Sequence, residues 1–261
     1  MVSERDVSKK AEPELDALAE ELDLFALRKK LPELLAEAEK SGSSYTDFAL
    51  AVLRVEAKAR EDRRFDRNRK RSRLPPTIQG LQDFDFSLRP QIEARVVREL
   101  LNCRWLEEGR NLICVGRPGL GKTRVLEALA EAALHAKRTV LRTTAAEMLE
   151  DLQGSIAEGA YRRTFRRYTK PAVLYLEEFG YAPFDTKATN HLFRVVAARH
   201  EAKASLLIAA NTGFKHWKTF FPSEAQSVAT VDRLIDRATI LRFSGKSFRK
   251  PQDEHGAEAD E

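Results

Sequence analysis

The sequence predicts an α/β fold, in which a parallel sheet between helices carries a phosphate-binding loop behind a small all-α N-terminal domain. Three observations predict it. Leucines recur near a helical period through residues 13–70. From residue 109, short apolar runs alternate with helical segments, the pattern of a sheet covered on both faces. Gly116-Arg117-Pro118-Gly119-Leu120-Gly121-Lys122-Thr123 stands where the first of those runs gives way to a helix.

In the N-terminal part, Leu15, Leu18, Leu22, Leu24, Leu27, Leu31, Leu34 and Leu35 define helical stripes. Pro32 is expected to interrupt or restart the helix. Ser41-Gly42-Ser43-Ser44 reads as a turn, with Thr46 as N-cap of a helix that runs through Phe48, Leu50, Leu53 and Val55 into a basic block. Leu74-Pro75-Pro76-Thr77 ends it, because paired prolines exclude helix. The expected domains are therefore 1–73, helical with a basic end; 74–250, the nucleotide-binding core; and 251–261, an acidic disordered tail. The stripes of 1–73 carry two readings, a self-contained bundle or a surface offered to a partner protein.

Charge and composition narrow the class. The chain has 261 residues with a formal net charge of +5, and 33% of residues are charged. Residues 58–73 alone hold nine basic and three acidic residues, more than the whole chain's surplus, which points to an acidic partner. The longest hydrophobic run, Phe48 to Leu53, has six residues where a membrane span needs roughly 20. No signal peptide is evident, and two cysteines cannot form a disulfide framework, so the expected location is cytoplasmic, without membrane attachment. The five histidines show no paired metal spacing, and Trp105 and Trp217 read as packing residues.

Strands are expected at 112–115, 139–141, 172–176, 206–210 and 240–243, with helices at 122–136, 145–157 and 186–202. The Gly116–Thr123 segment fits G-x-x-x-x-G-K-[ST]: its glycines let successive amides face phosphate oxygens, and the following helix adds its positive end. Gly116, Arg117, Pro118, Gly119, Leu120, Gly121, Lys122, Thr123 and Arg124 form the expected nucleotide-binding set. Lys122 reaches the β- and γ-phosphates and Thr123 ligands Mg2+. The strand Ala172–Leu176 ends in Glu177-Glu178, the form of a Walker B site, in which the first acid supports magnesium and the second activates water. Glu177 stands where Asp is usual, moving the carboxylate outward by about 1.5 Å. Asn211, at the end of the next strand, is placed to meet the γ-phosphate or the attacking water.

These segments together resemble the IstB-like transposition helper ATPases, relatives of the DnaC-type helicase loaders within the AAA+ class. The resemblance is carried by LPPTIQGLQDFDF, GRPGLGKT, VLYLEEFGYAPFD, LIAANTGFKHW, VDRLIDRATILRF and GKSFR, from about Leu74 to Arg249. It departs from the pattern at Glu177, Arg117 and Leu120. It implies an AAA+ ATPase whose Arg233 is an arginine finger completing a neighbouring subunit's site, and hence a homo-oligomer. It implies that Arg249 is a second phosphate sensor, and that a transposase, or alternatively a replicative helicase, docks on the protein.

Two segments are candidates for DNA. Residues 160–168, AYRRTFRRY, place Arg162 with Arg166 and Arg163 with Arg167 on helical faces, with Tyr161, Phe165 and Tyr168 turned to the core. Such cations suit sequence-nonspecific contacts to the phosphates of duplex DNA. The 58–73 block is the second candidate. Three functions remain open on these grounds: an ATP-driven, DNA-binding assembly factor for a transposase, with slow, partner- or DNA-stimulated hydrolysis to ADP and phosphate; a replicative helicase loader; and a nucleotide-gated binding module with negligible turnover.

Overall fold

Helices α1 (Glu4–Glu21), α2 (Phe25–Ser41) and α3 (Tyr45–Arg71) open the chain in the computed structural model, which describes residues 4–181, 183–245 and 247–248, with residues 4–12 and Lys215 by backbone alone. Two compact units result, residues 1–67 and 68–261. The division falls six residues before Leu74. The reason is local: Arg69 donates to the carbonyls of Leu74 (3.0 Å) and Pro75, and the amide of Arg142 donates to the carbonyl of Ser72 at 2.7 Å, so the last turn of α3 belongs with the second unit. The acidic tail, 251–261, and Arg249 lie outside the described residues.

Two local expectations in the first unit are corrected. Pro32 does not break a helix; α2 runs through it. The break falls at 22–24, where Asp23 takes φ 57° and the amide of Leu24 closes back on the carbonyl of Ala19 at 2.8 Å. A proline forfeits one helical hydrogen bond, whereas a left-handed residue reverses the chain direction. The N-cap of α3 is Ser44 rather than Thr46: its hydroxyl accepts the amide of Asp47 at 3.1 Å and donates to that residue's carboxylate at 2.6 Å. Gly42, with φ 62°, closes α2 as the turn reading expects. Glu56 is buried and accepts from Arg60 (3.1 Å), Arg63 (2.7 Å) and the amide of Leu27 (3.4 Å). Burial alone pushes its carboxyl up, but these donors outweigh that and hold it below its ordinary value. The first half of the basic block is thus spent on the fold. The leucine stripes are only partly covered: Leu27 is buried and Leu24, Leu31, Leu34 and Leu35 are half-buried, while Leu15, Leu18, Leu22, Leu50 and Leu53 are exposed.

The second unit is built on five parallel strands, β1 (Leu112–Val115), β2 (Val140–Thr144), β3 (Val173–Phe179), β4 (Ser205–Ala210) and β5 (Thr239–Arg242), in the order β2-β3-β4-β1-β5. Between them run α6 (Lys122–His135), α7 (Ala145–Ala157), α8 (Tyr161–Thr169), α9 (Thr186–Glu201) and α10 (Glu224–Ile235), after two short helices, α4 (Ala94–Leu100) and α5 (Arg104–Glu107). Ile113, Leu174, Leu176, Leu206 and Ile208 pack with α7 and α9 in one core cluster, while Leu112, Cys114, Tyr175 and Leu207 are buried on the other face, the face of α6. Burial on both faces makes these strands unbroken apolar runs rather than alternating ones. Trp105 and Trp217 are buried as expected, each donating its indole N–H to a carbonyl, of Leu100 and of Thr212. Both cysteines are free and buried. Among the described residues no helix is long and apolar enough to cross a membrane, and no group of acidic, histidine and cysteine side chains has the form of a metal cluster.

Two buried side chains that no motif announces hold the layers together. Asn111 donates to the carbonyl of Leu234 and accepts the amide of Leu206, both at 2.9 Å, clipping the end of α10 to the starts of β1 and β4. Arg199 of α9, fully buried, donates to the carbonyls of Tyr168 (3.0 Å), Thr169 (3.4 Å), Pro171 (2.9 Å), Ala172 (3.2 Å) and Ser205 (2.6 Å). Burial draws its guanidinium down to about 9, so it is still charged at neutral pH, and five carbonyls receive its protons.

Candidate nucleotide site

β1 delivers the chain to the phosphate loop inside the sheet, beside β4, and glycines are required there. Gly116, Gly119 and Gly121 have φ of 154°, 78° and 92°. A Cβ on Gly116 would overlap the carbonyl oxygen of Phe243, and one on Gly121 would lie 2.7 Å from the ring of Phe84. The loop therefore needs glycine backbone at all three positions and has no room for a side chain at Gly116 and Gly121. α6 begins at Lys122, whose buried ammonium donates to the carbonyls of Gly116 and of Arg117 (2.9 Å) across the mouth of the loop. A cation held there beside the first amides of a helix makes a site for a polyphosphate. Thr123, Arg117 and Pro118 are exposed, and Leu120 is buried under the loop.

Residues outside the motif brace it from two sides. Arg89, fully buried, donates to the carbonyl of Leu120 at 3.0 Å and lies 4.2 Å from the ring centre of Phe248. The amide of Phe248 donates to the carbonyl of Gly119 at 2.8 Å. Phe84 packs against Phe86 and Phe248, with ring centres 4.7 and 5.7 Å apart. Arg124 donates to the carbonyl of Gly80 at 2.9 Å and pairs with Asp83, so its charge is engaged by the segment before the core. The aromatic and acidic spacing of LQDFDF is the only sequence sign of this brace; Arg89 carried none.

The strand order sets the chemistry beside this loop. Because β4 lies between β3 and β1, the carboxyl ends of the three strands bring Glu177-Glu178, Asn211 and the loop side by side, with neighbours about 4.8 Å apart. The amide of Gly116 bonds directly to the carbonyl of Ala210 at 3.1 Å. Asn211 is half-buried, and next to it the hydroxyl oxygen of Thr212 is buried with no partner among the described residues. The register of β3 on β4 slips between Leu176 and Phe179, placing one extra residue in a bulge. Glu178 takes φ 53° there and is exposed, which aims its carboxylate out of the sheet. Left-handed backbone at a residue with a side chain costs about 1–2 kcal/mol, and such strain gathers at functional positions.

Glu177 turns to the α6 face. Its carboxylate pairs with Arg142 at 2.5 Å and accepts the hydroxyl of Tyr175 at 2.8 Å, while Arg142 also lies 3.7 Å from Glu127. Burial pushes the Glu127 carboxyl up, Arg142 opposes that and Glu177 adds to it; burial, with Glu177 behind it, carries the Tyr175 hydroxyl well above its ordinary value. The loop, α6 and Thr123 fit a triphosphate. For magnesium, Thr123 offers an exposed hydroxyl group, whereas Glu177, paired with Arg142, would have to exchange that arginine for the ion. Arg142 is a residue that sequence reasoning missed, since nothing in β2 marks it.

The remaining candidates are placed elsewhere. Arg233 donates to the carbonyl of Ala229 at 2.8 Å and lies 5.0 Å from the ring centre of Phe193, while Arg237, not Arg233, approaches Asp236 at 3.4 Å. Its neighbour Leu234 is tied to Asn111 at the base of β1, so Arg233 sits at the end of the sheet opposite its own phosphate loop. The four arginines of α8, Arg162, Arg163, Arg166 and Arg167, are all exposed, and the aromatics point inward: Tyr168 is fully buried, and Tyr161 stacks on Phe165 with centres 5.8 Å apart. Arg194 lies over both of those rings, at 5.0 and 5.7 Å.

The family model for IstB-like ATP binding proteins matches residues 17–256. The chain is 32% identical over 236 residues to an insertion sequence IS21 putative ATP-binding protein of Pseudomonas aeruginosa, a match covering 90% of this chain and 88% of that one. It is 27% identical over 228 residues to an IS5376 putative ATP-binding protein of Geobacillus stearothermophilus, covering 87% and 90%. Among solved structures, DnaI is similar with a TM-score of 0.53 at 17% identity, over 65% of this chain and 90% of that one. AMPPCP-bound DnaA from Aquifex aeolicus gives a TM-score of 0.53 at 14% identity, over 66% and 51%. At such identities the structural likeness shows a shared fold, that of AAA+ P-loop proteins.

Proposed function

Because the chain belongs to the family of IstB-like ATP-binding proteins, we propose that it is an ATP-dependent, DNA-binding assembly factor that serves a transposase. ATP seats its phosphates on the loop, with Lys122 at the β- and γ-phosphates and Thr123 and Glu177 toward magnesium. Thr123 and Glu177 would hold a magnesium ion, which would neutralise charge on the phosphates. Glu178 takes a proton from the water that attacks the γ-phosphorus, phosphate separates from ADP, and Asn211 orients the water or the γ-oxygens. Arg233, remote from its own loop, serves the site of a neighbouring subunit, and Arg249 supports the γ-phosphate; ATP-bound subunits assemble on duplex DNA and hydrolysis releases them. The exposed leucines of α1 and α3, with Leu22, offer the docking surface for the transposase.

The observation that carries this reading is the presence, in one compact unit, of a formed phosphate loop and a helix whose four arginines all face outward. A helicase loader working on single strands calls for exposed aromatics on which bases stack, and those of α8 are turned inward. The Arg142–Glu177 pair favours one other reading, a nucleotide-gated module with negligible turnover. The test is equilibrium binding to duplex and single-stranded oligonucleotides across a salt series, with and without ATP. Tighter duplex binding, strengthened by ATP and falling against log salt with a slope of about −5 for six phosphate contacts, is expected. A flat salt response removes the duplex-binding reading. Arg233→Ala is expected to bind ATP as a monomer and to lose DNA-stimulated hydrolysis by about 10³-fold. Unchanged stimulated hydrolysis in that variant excludes the shared-site arrangement.

A further inference from the structure

The second half of the basic block and the C-terminal half of α8, separate in the sequence, meet in one cleft of about 750 Å³. Lys70, Arg71 and Arg73 line it from one side, Arg166, Arg167 and Lys170 from the other, and all six are exposed. The floor between them is neutral, formed by Asn68, the start of β2 and Pro171. No acidic and no aromatic side chain lines it. Among the described residues only Arg167 of the six has an acid within ion-pair distance, Asp151 at 3.2 Å. In other parts of the chain some arginines are neutralised by the fold, as Arg60 and Arg63 are by Glu56 and Arg124 by Asp83. Around this cleft five of the six cations have no such acid among the described residues, and like charges gathered there repel each other until a polyanion enters.

The cleft lies wholly within the second unit and at the amino ends of β2 and β3, whereas the phosphate loop follows the carboxyl end of β1 in the same parallel sheet. A five-residue strand separates the two ends by about 16 Å. The six cations are therefore not a second face of the nucleotide site. Their spread round an open cleft suits charges repeated along a chain. A neutral floor without aromatic rings gives no platform for unstacked bases, which grooves for single strands use, but it does suit a backbone whose bases remain paired.

We infer that this cleft is the seat of the phosphodiester backbone of duplex DNA, and that it divides α8 by function. Arg166 and Arg167 act together with Lys70, Arg71, Arg73 and Lys170, while Arg162 and Arg163, one turn earlier, lie outside it. The inference rests on the DNA-binding reading above and names the site within it, adding four residues from outside α8.

The full chain with substitutions Lys70→Ala, Arg71→Ala and Arg73→Ala together is compared with the parent and with the Arg162→Ala, Arg163→Ala double variant. Duplex binding is measured by fluorescence anisotropy over 50–200 mM salt, with the thermal midpoint as control of folding. The triple variant is expected to bind duplex DNA at least tenfold more weakly at about 100 mM salt and to lose about 2.7 from the magnitude of the log–log slope, 0.9 for each contact removed. The double variant is expected to retain more affinity than the triple one. A triple variant with the parent's affinity and slope, while the double variant weakens, overturns the cleft and leaves DNA binding by α8 standing. A parent without salt-dependent duplex affinity overturns both. A triple variant that loses single-strand affinity more than duplex affinity overturns the choice of ligand. Should the triple variant melt early, Lys170→Glu alone, on the opposite wall, is expected to weaken duplex binding at least fivefold, and unchanged binding there counts equally against the cleft.

Discussion

Glu178→Gln is expected to lower the rate of ATP hydrolysis by about 10²–10⁴-fold while nucleotide affinity stays within about threefold of the parent. The carboxylate stands exposed at the end of β3, outside the Arg142–Glu177 pair, and it is held there by a bulge and a left-handed backbone. Gln keeps its size and removes its capacity to take a proton. Lys122→Ala should differ in kind, because the ammonium lies across the mouth of the loop, and its loss is expected to show first as lost nucleotide affinity. Phosphate release and titration with a fluorescent nucleotide separate the two effects. If Glu178→Gln releases phosphate at the parent's rate with and without DNA, Glu178 is not the base, and a nucleotide-gated module without turnover becomes the better account.

The largest expected loss of stability belongs to Arg199→Ala, about 3–5 kcal/mol by urea unfolding. The guanidinium is fully buried, without an acidic partner among the described residues, and donates to five carbonyls at the end of α8 and the starts of β3 and β4. Removing it strands those carbonyls and opens a cavity. Arg199→Lys is expected to recover only part of the loss, since one ammonium has three protons and no planar fork. The effect should extend to function, because two of the carbonyls belong to Tyr168 and Thr169 of the arginine-bearing helix. A loss under about 1 kcal/mol in Arg199→Ala would show that water replaces the guanidinium and that α8 is anchored otherwise.

Much of the site was legible because it is local. The phosphate loop carries its own backbone requirements in three glycines, and β1 before it and α6 after it follow from apolar runs of different period. The inward aromatics and outward arginines of α8 follow from spacing on one helix. Illegible were features made by partners far apart in the chain. The bulge that re-aims Glu178 depends on the register of β3 against β4. The hold on Glu177 depends on an arginine of β2, and the brace of the loop on Arg89. Pro32 is a different case: its local cost is one helical hydrogen bond, and α2 continues through it on the others.

The basic surplus shows the same division. Residue types and spacing by themselves determined that the chain has a nucleotide loop, an α/β core and two cationic segments, because each is a property of a few consecutive residues. Only the tertiary structure decided what those cations do. It assigned Arg60 and Arg63 to a buried glutamate, Arg69 to the linker carbonyls and Arg199 to the core, and it set Lys70, Arg71 and Arg73 opposite Arg166, Arg167 and Lys170. The physical reason is that the energy of a charge is set by its surroundings, by the carboxylates, carbonyls and water within a few ångströms, and folding chooses those neighbours from anywhere in the chain.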